Sequence, residues 1–217
     1  MFSEAGYKTV VIGSVLCLFV GAGVGHVFGK FPITVKAYDN EPVVEWSKTF
    51  GGPYLDLLMS VQQTTDGGYI MTGYSNHYDS WHDVYLVKTD SNGKELWNRT
   101  FGWPQSTEYG HSVRQTCDGG YIIVGSMESS GVYRKDVYLV KTDADGILVW
   151  NKTFGGFGDD EGYSVQQIAD EGYIIVGSTT SFDADSMDVY LVKTDSDGTM
   201  LFNKTFGGSK GDWSYSV

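Results

Sequence analysis

An acidic residue recurs at one phase of this sequence, and its four copies are candidates for chemistry. Each copy stands four residues before a recurring Ser-Val pair; the four are Asp56, Glu108, Asp160 and Asp212. Carboxylate oxygens are the ligands that Ca²⁺ prefers. A ring of these carboxylates around one axis would bind calcium, another hard cation or the cationic groups of a ligand. In the alternative interpretation, each carboxylate caps nearby backbone N–H groups and holds a loop.

Other acidic residues suggest different chemistry. The Asp-x-Asp/Asn-Gly segments resemble calcium loops but lack the distal Glu of an EF-hand, so we expect hairpin turns; they begin at Asp90, Asp143 and Asp195. The acidic loops 159–161 and 183–188 could supply paired carboxylates for glycoside hydrolysis, which depends on their spatial separation. The sequence contains no HExxH or GxSxG motif, and we predict no catalytic residue.

These residues belong to a long internal repeat. One stretch occurs three times, as Asp83–Trp103, Asp136–Gly156 and Asp188–Gly208, and a shorter version stands at Trp46–Gly52. The phenylalanines that close the copies are 51, 53 and 52 residues apart: Phe50, Phe101, Phe154 and Phe206. A fixed period of this size marks a repeat protein.

Each full unit predicts four strands. In the first unit they are Ser60–Thr64, Tyr69–Ser75, Asp83–Thr89 and Glu95–Phe101, separated by Asp/Gly turns. Middle strands such as Tyr121–Val124 are apolar at consecutive positions, which indicates that both faces are covered. We expect the fourth strand to be an outer edge, and the tryptophan phase (Trp46, Trp97, Trp150, with Phe202 substituting) to pack between neighbouring sheets.

The predicted fold is all-β: a partial β-propeller of four-stranded antiparallel blades over residues 45–217, with blades of about 52 residues. Three blades are complete and a fourth is partial, because the chain stops at Ser216-Val217 within a first strand. We expect the chain to be a fragment of a longer propeller. An open arc of blades is the alternative, with self-association through its exposed faces as the consequence.

The run YLVKTDxxGxxxWNKTFGG resembles the blades of quinoprotein-type (PQQ-like) propellers. The chain is also similar to DGGYI…DVYLVKTD repeat proteins of microbial, notably archaeal, cell surfaces. The resemblance covers about Trp46–Val217 and implies the fold. It does not bring a quinone cofactor, because several quinone-binding members place a cysteine pair beside the quinone and this chain has only the distant Cys17 and Cys117.

The N-terminal part predicts a membrane anchor. Residues 9–29 contain no Asp, Glu, Lys or Arg and are long enough to cross a bilayer as a helix. Residues 1–8 would then be cytoplasmic, residues 30–44 a linker and the repeats extracellular. The alternative is a signal peptide that is cleaved to release a secreted protein. The net charge of −12 argues against nucleic acid and anionic lipid headgroups as partners of the repeats.

Three N-glycosylation sequons recur in one phase of the fourth strand, at Asn98, Asn151 and Asn203. Export would expose them at the rim, where a glycan fits.

The sequence therefore predicts a membrane-anchored surface propeller that acts as a non-enzymatic binding or adhesion module for an extracellular ligand or protein. Calcium is the one ion it suggests. Two alternatives stay open: an enzyme with blades missing here, either a quinoprotein-like oxidoreductase or a propeller glycoside hydrolase, and a structural component of a surface layer.

Overall fold

The computed structural model describes residues 45–76, 81–129, 131, 134–182, 184 and 186–217. The chain divides into two units, Met1–Ser47 and Lys48–Val217. The predicted cytoplasmic stretch 1–8, the anchor 9–29 and the linker 30–44 all lie outside the described residues. Within the described ranges, no helix is long and apolar enough to span a membrane.

The described part of the second unit forms three four-stranded antiparallel sheets. Sheet 1 consists of β1 (Asp56–Gln63), β2 (Tyr69–Asn76), β3 (His82–Thr89) and β4 (Glu95–Phe101). Sheet 2 consists of β5 (Ser106–Gln115), β6 (Tyr121–Ser129), β7 (Lys135–Thr142) and β8 (Leu148–Phe154). Sheet 3 consists of β9 (Asp160–Gln167), β10 (Tyr173–Thr179), β11 (Asp188–Thr194) and β12 (Met200–Phe206). In every sheet the strands are neighbours in chain order.

The turns follow from aspartate and glycine chemistry, as predicted. Oδ1 of Asp90 accepts the backbone N–H groups of Asn92 and Lys94, each at 2.9 Å. Gly93 follows with a φ of +73°, a left-handed conformation that glycine adopts without strain. Asp143 and Asp195 make the same bonds in the other two sheets. These segments are hairpin turns whose aspartates serve their own backbone.

The first strand of the repeat differs from its prediction. It begins at Asp56 instead of Ser60, and a β-bulge lies between Leu58 and Ser60. The extra residue at the bulge interrupts the alternation of side chains. The alternating pattern therefore did not predict the first half of the strand.

The three sheets pack face to face through two apolar clusters. In sheet 2, Tyr121 and Ile123 belong to the cluster shared with sheet 1, while Ile122 and Val124 belong to the cluster shared with sheet 3. Alternate residues of one strand thus face two different neighbours. This confirms the prediction that the consecutive apolar positions are covered on both sides.

The tryptophans also pack between sheets, as predicted. The ring centroid of Trp97 in sheet 1 lies 5.9 Å from that of Tyr121 in sheet 2, and Trp150 in sheet 2 lies 5.9 Å from Tyr173 in sheet 3. First strands of neighbouring sheets contact one another, so they form the inner side of the arrangement. The all-β fold is confirmed, and the stacking of its sheets is propeller-like.

Candidate functional site

The four predicted acidic residues hold the loops that lead into the first strands. A carboxylate oxygen accepts the N–H of the residue four positions earlier in three of them: Asp56 from Gly52 at 2.7 Å, Asp160 from Gly156 at 2.8 Å and Asp212 from Gly208 at 3.1 Å. Glu108 accepts a backbone bond from Trp103. The backbone-capping role that the sequence suggested is therefore present in the structure.

A second acidic residue stands beside these capping residues. A Cβ built on Gly102 would lie 2.2 Å from Oδ1 of Asp83 and 2.6 Å from Oε2 of Glu108, so both oxygens pack against the same glycine. The equivalent Cβ on Gly155 would lie 2.0 Å from Oδ1 of Asp136 and 2.7 Å from Oδ2 of Asp160. Each pair joins the third strand of one sheet to the first strand of the next.

Sequence reasoning missed Asp83 and Asp136. Their equivalent Asp188, which it included in the acidic loop 183–188, lies against Gly207. Their signal was present, because an aspartate precedes VYLVKT in all three copies of the repeat. The period shows which residues are equivalent but gives no information on which residues meet across two sheets.

Burial makes these pairs electrostatically unusual. Glu108 and Asp160 have no solvent exposure, and Oε2 of Glu108 and Oδ1 of Asp160 have no hydrogen-bond partner among the described residues. Burial, with Asp83 adding, raises the pKa of Glu108 to about 7. Burial and the charge of Asp160 raise the pKa of Asp136. A junction of this kind resists carrying two bare negative charges.

The four capping residues are distributed over separate junctions. Among the described residues, no group of three or more His, Cys, Asp and Glu side chains is placed to hold a metal ion. Calcium binding by Asp56, Glu108, Asp160 and Asp212 stays a prediction.

The acidic loop 159–161 has structural partners at every position. Oδ1 of Asp159 accepts the N–H of Lys135 at 3.1 Å, and Glu161 forms an ion pair with the same lysine at 3.0 Å. Asp160 caps its loop and lies beside Asp136. Asp183 of the second predicted loop lies outside the described residues. Glycoside hydrolysis and quinone-dependent oxidation remain predictions.

The sequons lie on the fourth strands. Asn98 is on β4, Asn151 on β8 and Asn203 on β12. In the described sheets each of these strands pairs on one side only, which agrees with the predicted outer edge. Asn98 is exposed, and its amide donates to Oε1 of Glu95 at 2.6 Å. Glycosylation at the three positions stays a prediction.

A row of aromatic rings that runs across the three sheets was not predicted. The row is defined by six side chains from all three sheets and the segment after them: Tyr74, His82, Tyr109, His111, Tyr163 and Tyr215. Ring centroids lie 5.6 Å apart between His111 and Tyr163 and 5.2 Å apart between Tyr163 and Tyr215. Tyr74 contacts Tyr109 edge to face at 5.0 Å.

β-bulges place part of this aromatic row. His111 is the extra residue between Gly110 and Ser112, and Tyr163 is the extra residue at the equivalent bulge of β9. Met59 occupies the bulge of β1. A bulge re-aims a side chain out of the regular alternation and is common beside binding sites. The sequence signal was the residue directly before each Ser-Val pair, which reads Met, His, Tyr and Tyr along the repeat.

The row also includes polar groups with fixed roles. Nδ1 of His111 lies 2.9 Å from the carbonyl oxygen of Gly162. Because a carbonyl only accepts, Nδ1 is the donor, which leaves Nε2 as an acceptor in the neutral ring. Burial lowers the pKa of His111, which favours that neutral form. The Tyr163 hydroxyl lies 3.1 Å from Oγ of Ser178, and the Lys135–Glu161 ion pair connects sheets 2 and 3 next to the row.

The sequence was also compared with known proteins. It matches no protein-family model, and no curated protein sequence matches it. Inferences about its task therefore rest on the residues and contacts described above.

Proposed function

We propose that this chain is a non-enzymatic binding module, held at the cell surface through residues 9–29, and that its aromatic row binds an extracellular carbohydrate. The observation that supports this is the row itself, whose rings contact one another from sheet 1 to sheet 2, from sheet 2 to sheet 3, and from sheet 3 to the segment after it. Strand-borne side chains hold a ligand more precisely than loops do.

The chemistry of the row matches a neutral sugar. Half-buried rings such as Tyr109 and Tyr163 offer flat apolar faces with polar edges, a combination that suits ligands with apolar and hydroxyl-bearing surfaces. Nε2 of His111 and the Lys135–Glu161 pair supply acceptors and donors for hydroxyl groups. The net charge of −12 disfavours acidic glycans.

Binding of the full chain, in mild detergent, to an array of neutral and acidic oligosaccharides tests the proposal. We expect saturable binding to a subset of neutral glycans. Tyr163→Ala should weaken it by about 10-fold or more, since aromatic anchors commonly contribute more than 1.4 kcal/mol at binding sites. Tyr163→Phe keeps the ring and should retain most of the affinity.

Phe157→Ala is the matched control, because Phe157 is an aromatic side chain that is 89% exposed and lies outside the row. It should leave glycan binding unchanged. Two results would contradict the assignment of the row. One is glycan binding that persists in both the Tyr109→Ala and the Tyr163→Ala variants, and the other is glycan binding that is lost equally in the Phe157→Ala variant.

Self-association is a second candidate, favoured by the exposed apolar side chains of the terminal sheets. Phe206 in sheet 3 is 52% exposed, whereas its equivalents Phe101 and Phe154 are 8% exposed. Light scattering of the full chain over a range of concentrations tests this. Association that Phe206→Glu removes would support it, and a monodisperse monomer at all concentrations would exclude it.

A further inference from the structure

We infer that the junction between sheets 1 and 2 binds a divalent cation between Glu108 and Asp83, and that Ca²⁺ is the ion that fits. This goes beyond the proposed ligand-binding function, because these carboxylates are not members of the aromatic row, although Asp83 follows His82 and Glu108 precedes Tyr109 in the sequence. It also differs from a single ring of carboxylates around an axis, because the two ligands come from two sheets.

The first observation concerns one carboxylate oxygen of Glu108. Glu108 is fully buried, and its Oε2 has no hydrogen-bond partner among the described residues. Asp160 repeats the situation at the next junction, where Oδ1 is the atom without a described partner. A buried carboxylate oxygen without a partner is costly, so a group that supplies positive charge there is favoured.

The second observation is where that oxygen lies. Oε2 of Glu108 and Oδ1 of Asp83 pack against the same face of Gly102, from two different sheets. At the next junction the Asp160 oxygen that packs against Gly155 is Oδ2, which already accepts from Gly156 and Ser181, so the cation site is assigned to the first junction only. A cation held there would link neighbouring sheets. In stacked repeats, stability comes largely from the contacts between neighbouring repeats.

Neutral oxygens lie next to the Glu108 carboxylate. Oγ of Ser106 contacts Oε1 of Glu108 and donates to the carbonyl oxygen of Trp103 at 2.9 Å. Ca²⁺ accepts carboxylate, hydroxyl and carbonyl oxygens together with water in a flexible geometry, whereas Mg²⁺ demands a near-ideal octahedron. Two carboxylates are few for a calcium site. We therefore expect weak binding, with a Kd of about 10⁻⁴–10⁻³ M, as in extracellular calcium-binding modules.

Aromatic residues beside the site provide a direct readout. Trp103 lies beside Glu108, because Oγ of Ser106 contacts both its carbonyl oxygen and Oε1 of Glu108. The ring of Tyr138 lies 5.3 Å from the ring of Trp103. A bound Tb³⁺ ion, which mimics Ca²⁺, would therefore be sensitised by excitation of these rings.

Tb³⁺ titration of the chelator-treated full chain in detergent tests the inference. We expect saturable sensitised emission that Ca²⁺ displaces, and a Tm that rises with Ca²⁺ concentration and then levels off. Glu108→Gln should reduce Tb³⁺ affinity at the first junction at least about 10-fold. Asp83→Asn tests the same site from the other sheet, should Glu108→Gln fail to fold.

Two controls separate the site from general effects. Glu95→Gln removes an exposed carboxylate elsewhere in sheet 1 and should change neither emission nor Tm shift. Trp103→Phe should weaken the emission but preserve the Ca²⁺-dependent rise in Tm. The inference is overturned if millimolar Ca²⁺ leaves Tm unchanged, or if emission persists at full strength in the Glu108→Gln and Asp83→Asn double variant. The pair would then be held by a shared proton alone. Glycan binding by the double variant distinguishes this failure from failure of the proposed function.

Discussion

Sheets 2 and 3 have nearly the same sequence but different surroundings. Phe154, which ends sheet 2, packs against sheet 3 and is 8% exposed, whereas Phe206 at the same position of sheet 3 is 52% exposed. Trp150 packs on Tyr173 of the next sheet, while its equivalent Phe202 is 41% exposed. One repeat therefore does not bury its own apolar residues. The neighbouring sheet does, so stability resides in the contacts between repeats.

The largest expected difference comes from the closing phenylalanine. Phe154→Ala should cost about 3–5 kcal/mol of unfolding free energy, because it leaves a cavity between two sheets. Phe206→Ala should cost less than about 1 kcal/mol, because its ring is already half in solvent. Denaturant unfolding followed by tryptophan fluorescence measures both. Equal losses for the two variants would show that the sheets do not depend on each other for burial.

A smaller difference is expected on the inner strands. Val165 of sheet 3 is fully buried against sheet 2, whereas Val61 of sheet 1 is 49% exposed at the equivalent position. Val165→Ala should destabilise the protein by about 2 kcal/mol, from two lost methyl groups and the remaining cavity. Val61→Ala should change stability by no more than about 0.5 kcal/mol. The same unfolding experiment applies, and a larger effect at Val61 would reverse the expected order.

The ion pairs beneath the Asp-Gly turns should show the smallest difference, through acid sensitivity. Asp118 pairs with Lys141 at 2.8 Å in sheet 2, and Asp170 pairs with Lys193 at 2.6 Å in sheet 3. The lysine side chain is 7% exposed in the first pair and 20% exposed in the second. Burial by itself would raise the pKa of Asp118. Hydrogen bonds from Lys141, Thr116 and Gly120 outweigh this effect and lower the pKa to about 2.

The sign of the pH dependence follows from that lowered pKa. The folded state holds Asp118 ionised more strongly than the unfolded state does, so the stabilisation is complete above about pH 4 and is lost as the pH falls towards 2. Asp118→Asn should remove part of this acid sensitivity and cost about 1–2 kcal/mol at neutral pH, because it leaves Lys141 buried without its partner. Asp170→Asn should cost less. Melting curves between pH 2 and about pH 7 check both, and an unchanged acid limb in Asp118→Asn would refute the assignment.

Much of the fold could be predicted from the sequence because it depends on local patterns. The period of the DVYLVKT stretch, the Asp/Gly turns and the consecutive apolar runs determine strands and hairpins. The bulges at Met59, His111 and Tyr163 could not be predicted, since one extra residue leaves no distinct composition. Because of these bulges, neither the start of the first strand nor the aromatic row was predicted.

Only one residue of each acidic pair could be predicted from the sequence. Recurrence identified Glu108 and Asp160 as special, because equivalent positions in a repeat share a role. Their partners Asp83 and Asp136 come from the preceding sheet, and contacts between repeats depend on how the sheets stack. The sequence therefore predicted one carboxylate of each pair, and its partner from the preceding sheet could not be predicted.

A double-mutant cycle on Trp150 and Tyr173 tests most directly whether neighbouring sheets stabilise each other. The two rings belong to sheets 2 and 3 and contact edge to face at 5.9 Å. The unfolding free energies of Trp150→Ala, Tyr173→Ala and the double variant should reveal a coupling of about 0.5–1.5 kcal/mol. A coupling of zero, with the two single losses simply adding, would contradict the stacking of sheet on sheet.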